Sequence, residues 1–69
     1  MLAYTPGERV RVRDSKGRIH ERVAISGPVQ GQDFIIVWAC HPAEWEAALA
    51  ADREPDGVPW PAEDVEPAE

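Results

Sequence analysis

Asp33-Phe34-Ile35-Ile36-Val37-Trp38-Ala39-Cys40 holds the longest apolar run in the chain. Its β-branched and aromatic residues favour an extended strand over a helix. In a strand, Phe34, Ile36, Trp38 and Cys40 share one face, and Ile35, Val37 and Ala39 share the other. Both sets are apolar, so the strand is expected to be covered on both sides.

Working outward toward the N-terminus, Gly31 and Gln32 supply the turn before this strand, and Gly27-Pro28 ends the one before it. That earlier strand runs from Arg18 to about Ser26. Ile19, Val23 and Ile25 share a parity that points inward, with Glu21 as the exception, and a charge in such a position marks a bend or a sheet edge. Asp14-Ser15-Lys16-Gly17 is a hairpin connection, with Gly17 available for a positive φ. Glu8 to Arg13 alternates: Val10 and Val12 face one way, and Arg9, Arg11 and Arg13 face the other.

Toward the C-terminus, His41-Pro42-Ala43-Glu44 reads as a helix start. Proline fits the first helical position, and Glu44 and Glu46 suit the positive end of the dipole. The helix is expected from Ala43 to about Arg53, with Trp45, Ala48 and Leu49 as its apolar stripe. A helix this short is unstable alone and must dock. Val58-Pro59-Trp60-Pro61 reads as extended and polyproline-like, because two prolines remove ladder donors. Ala62 to Val65 is expected to form a short last strand. Residues 1–66 then make one domain, with 67–69 a flexible tail.

Length and composition narrow the function classes. A chain of 69 residues buries roughly 60% of its unfolded surface, which suits one modest core and no cofactor cavity. One cysteine rules out an intramolecular disulfide, and a lone thiol suits a reducing, cytoplasmic setting. The first residues lack the basic flank and apolar run of a signal peptide. No stretch approaches the ~18 apolar residues of a membrane span. Net charge is −6, unevenly placed. Residues 1–22 carry six bases against three acids, a balance of +3; residues 23–69 carry Arg53 against ten acids, a balance of −9. Either the two halves neutralise each other in the fold, or each serves a partner of opposite charge.

Gly7-Glu8-Arg9-Val10-Arg11-Val12, followed by a turn ending in Gly17, resembles the opening of SH3-like barrels of the KOW and Tudor kind. Trp60-Pro61-Ala62-Glu63-Asp64-Val65 is similar to their final turn and strand. The resemblance spans residues 4–38 and 60–65 and implies a mainly β fold: a small SH3-like, partly open antiparallel barrel with one short helix inserted before the last strand. Arg18 departs from the apolar residue that follows the second glycine in KOW segments, and the helix replaces a short connection. Both departures weaken a transfer of RNA binding. The bias to Ala, Arg, Pro and Glu resembles proteins of high-GC bacteria and their phages.

Two surfaces stand out. Arg9, Arg11, Arg13, Arg18 and Arg22 have the spacing to follow phosphates along a nucleic-acid backbone, although an acidic domain opposes long-range attraction. Trp60 with Glu63, Asp64 and Tyr4 fits an aromatic and acidic partner-binding surface, because such barrels use exposed aromatics beside acids to take peptides or methylated lysine. Trp60 serves equally well as core, and Trp38 and Trp45 read as core. Cys40-His41, with His20 elsewhere, lacks the ligand spacing of a metal site and a catalytic pocket. The acids of 44–69 read as a solubilising face. The expectation is a non-catalytic protein–protein interaction or assembly module without cofactor, metal, membrane or small-molecule substrate. Its partner is another protein or a second copy, and the alternative is a nucleic-acid-binding accessory protein using the arginine-rich first hairpin.

Overall fold

A computed structural model describes residues 4–68. It contains β1 (Arg9–Arg13), β2 (Ile19–Gln30), β3 (Ile35–Cys40), α1 (Pro42–Ala51), β4 (Val58–Pro61), a 3₁₀ turn (Ala62–Asp64) and β5 (Val65–Pro67). The strands form one unclosed antiparallel sheet in the order β4-β3-β2-β1-β5. The fold is mainly β, with the helix inserted before the last two strands.

The first hairpin follows from its turn. Asp14 Oδ1 accepts from the N–H groups of Lys16 and Arg18 at 2.9 Å, and Gly17 sits at φ +81°. An aspartate that folds back on the chain and a residue free to adopt positive φ are what a tight reversal requires. The turn sets the register: Val10 lies opposite Arg22, and Val12 opposite His20. Direct antiparallel partners share a face, so the inward parity of early β2 is that of His20, Arg22 and Ala24. Ile19 therefore lies outward, 54% exposed, with Glu21 and Val23 on its side. The register, which the valines of β1 dictate, thus corrects the inward placement expected for Ile19, whereas Val23 is buried as expected, 3% exposed, on this second face opposite Cys40.

Gly27-Pro28 does not end β2. The strand continues to Gln30 through register shifts between Ala24 and Ser26 and between Ser26 and Val29. Gly27 makes this possible, at φ +126° with the β3 backbone so near that an added Cβ would lie 3.0 Å from Val37 Cα. Only glycine tolerates both conditions.

The core is small and lies on the inner face. Val10, Val12, Ala24, Val37 and Val65 form it, with Tyr4, Trp60 and Ala62 packed at its margin. β3 is buried on that side through Val37 and Ala39. The expectation of cover on both sides holds only at one end. Phe34 falls before the strand and is 52% exposed, and Trp38 is 36% exposed. Cys40 is covered, because it pairs with Val23 next to the helix, whose Ala48 is buried. A ten-residue helix is about 15 Å long and cannot shield a whole sheet face.

α1 docks on its own sheet, through Ala48 and through Trp45 set against Gly7. Leu49 lies outside the docked stripe, 61% exposed. The helix ends earlier than Arg53 because Asp52 turns left-handed at φ 54°. The returning chain is held by Glu44, which accepts from Arg53 Nη1 at 2.6 Å and from the Asp56 N–H at 2.9 Å.

Val58–Pro61 is a strand, contrary to the polyproline-like expectation. It pairs with β3 as an edge, where proline is permitted. The residues expected as a last strand, 62–65, form the 3₁₀ turn and only begin β5. β5 extends into the expected tail: Pro67 lies opposite Val10, and the Ala68 N–H donates to the Arg9 carbonyl at 3.2 Å. Glu69 lies outside the described residues, as do Met1, Leu2 and Ala3.

Candidate functional site

The cross-strand register divides the outer sheet face into three zones. At one end, Arg11 and Arg13 of β1 lie beside Glu21 and Ile19 of β2 and Glu66 of β5. In the middle, Arg9, Val23 and Cys40 form a row beside the helix. At the far end come two rows across β2, β3 and β4: Ser26–Trp38–Pro59 and Val29–Ile36–Pro61.

The arginine row, with Arg11 and Arg13 at the charged end and Arg9 in the middle row, is set against carboxylates. Arg9 Nη1 donates to Glu21 Oε1 at 2.9 Å, and Arg13 Nη2 lies 3.7 Å from Asp64 Oδ1. Arg11 stands opposite Glu21 on one side and Glu66 on the other. Each exposed pair contributes at most about 1 kcal/mol to stability. Their functional consequence is larger, since every cation of the row faces a carboxylate that would repel a phosphate. Arg11, Arg13, Ile19, Glu63, Asp64, Val65 and Glu66 enclose a dent of only ≈ 70 Å³. Arg18 is exposed at the turn, and Arg22 lies on the opposite face, its Nη1 donating to the Glu21 carbonyl at 2.7 Å. The five arginines therefore do not form one surface.

The aromatic and acidic grouping also separates. Trp60 is half-buried opposite Val37, at the margin of the core. Tyr4 packs on the same core, and its hydroxyl donates to the Val65 carbonyl at 3.4 Å. Burial, then the charges of Glu8 and Glu66, push its phenol pKa upward. Asp64 turns toward Arg13, and Glu63 is exposed. Trp60 and Tyr4 thus both pack, part-exposed, at the core margin, and Asp64 faces Arg13 of the outer face.

Cys40 is free and buried, and burial followed by the nearby charge of Glu44 raises its thiol pKa. A nucleophilic cysteine needs the opposite shift. His20 is engaged by Asp14, 2.8 Å from its Nε2, an interaction that heads the causes lowering the Asp14 pKa. Among the described residues no group of three or more His, Cys, Asp or Glu is placed to hold a metal ion. No helix among them is long and apolar enough to cross a membrane.

The apolar end is what reading by composition overlooks. Val29, Phe34, Trp38 and Pro59 are exposed, and Ile36 and Pro61 are half-buried between them. Phe34, Ile35, Pro61, Ala62 and Glu63 line an open groove of ≈ 300 Å³. The available signal was the alternation of Pro59 and Pro61, which places both prolines on one face of an edge strand. No family model, no curated protein and no solved structure matches the chain.

Proposed function

We propose that this chain is a non-catalytic protein-interaction module that binds through the apolar end of its outer sheet face. The observation that carries the reading is the pair of cross-strand rows Ser26–Trp38–Pro59 and Val29–Ile36–Pro61, left uncovered beyond the reach of α1. Exposed apolar side chains in adjacent rows form a contiguous patch, and such patches on small domains mark association sites. The shallow relief of this face supports binding over catalysis. The strand order and the short acidic turn before β5 support the SH3-like reading.

The test is affinity capture from the native cell with wild-type protein, Trp38→Ser and the double variant Arg11→Ala/Arg13→Ala. Circular dichroism establishes that each variant is folded. Partners lost by Trp38→Ser and kept by the arginine variant support the reading. The reverse pattern transfers function to the charged end and removes the proposal.

A further inference from the structure

We infer that the apolar end of the sheet docks a partner segment whose own apolar side chains are flanked by lysines or arginines. This rests on the reading of that face as the binding surface and specifies what covers it.

The edges of the sheet direct the partner onto the face. Ladder donors of β4 toward β3 must come from Val58 and Trp60, because Pro59 and Pro61 have no N–H. The outward-pointing positions of β4 are therefore the prolines, and that edge offers an added strand no donors. The opposite edge, β5, is three residues long and ends in Pro67. Short, proline-bearing edges resist strand addition, so a partner gains most by lying across Val29, Ile36, Trp38, Pro59 and Phe34.

Charge selects among occupants. Arg53 is the only base between residues 23 and 68, and Glu44 holds it at 2.6 Å. Two exposed acids, Asp33 and Glu63, border the apolar face where Phe34 and Pro61 lie. Asp33 immediately precedes Phe34, and Glu63 lines the groove with Phe34 and Pro61 at the point where it also borders the dent of Arg11 and Arg13. A second copy laid on this face about a two-fold axis would set these acids against themselves. A polyanion would be repelled outright. An apolar segment with basic flanks satisfies the patch and its rim together, and charge complementarity of this kind sets both encounter rate and partner choice.

The experiment is an amide-shift titration of the ¹⁵N-labelled protein with three synthetic peptides. One has a Trp- and Leu-containing centre flanked by lysines, one has the same centre flanked by glutamates, and one has lysines without apolar residues. The expected result is shifts centred on Val29, Phe34, Ile36 and Trp38 with the first peptide, at least tenfold tighter than with the second and absent with the third. Asp33→Asn/Glu63→Gln, both at exposed positions, should reduce the tenfold preference below threefold. Equal binding of the lysine- and glutamate-flanked peptides overturns the charge inference and leaves the face as the binding surface. Absence of shifts there with every peptide, or shifts at Arg9–Arg13 instead, overturns both. Concentration-dependent shifts of the same residues without peptide assign the face to a second copy and overturn the inference.

Discussion

Glu44 holds the loop that follows the helix. It accepts from Arg53 and from the Asp56 backbone, and these bonds, led by that to Arg53, lower its pKa from an ordinary 4.5 to about 2. A carboxylate with a depressed folded-state pKa stabilises the fold above its unfolded value, and that contribution is lost as pH falls through the folded one. Glu44→Gln should therefore lower the urea midpoint most above pH 4.5. The difference from wild type should shrink as pH drops and vanish near about 2, measured as midpoints across a pH series. A constant difference across that range would mean that the glutamate acts through packing alone. Its pairing with Arg53, nine residues on, exceeds the reach of one helical turn, and so no helical spacing rule pointed to it.

Secondary elements differ sharply in how much each apolar residue stabilises. Val37 is fully buried at the centre of β3, whereas Leu49 of α1 is largely exposed. Val37→Ala should cost about 2 kcal/mol, from lost methyl burial plus the cavity left behind. Leu49→Ala should cost less than about 0.5 kcal/mol. Urea denaturation of the two variants checks this, and equal losses would mean that α1 docks by a different face. The β4 edge supplies a second test. Pro59→Thr/Pro61→Thr restores outward N–H groups to a strand already paired on its other side, which opens a template for strand addition. Light scattering should then show a mass that rises with concentration, against a constant mass for wild type.

At the scale of the whole molecule, the folded chain brings its basic and acidic halves into register. β5 returns beside β1, so that Glu66 and Asp64 meet Arg11 and Arg13. Polyanion binding should be weak for this reason and should appear once the carboxylates are neutralised. Glu21→Gln/Asp64→Asn/Glu66→Gln is expected to elute from heparin at clearly higher salt than wild type, because freed guanidinium groups displace counterions. Identical elution would show that the net acidity of the molecule, and not local pairing, keeps polyanions away.

Local chemistry made several elements legible from sequence. Asp14 and Gly17 encode the first turn, Pro42 and Glu44 encode the start of α1, and alternation in residues 9–13 encodes β1 with its arginine row. These features depend on neighbours within a few residues, and so a linear reading reaches them. The mainly β class and the position of the helix follow from the same signals. What the tertiary structure alone decided was register and cover. Pairing of Val12 with both His20 and Val65 fixed which parity of β2 faces inward and set Asp64 and Glu66 among the arginines. The limited reach of α1 left Trp38 and Phe34 open, while the pairing of Trp60 with Val37 drew it toward the core. Burial is a property of what lies opposite a residue, and in a sheet the opposite residue is distant in sequence.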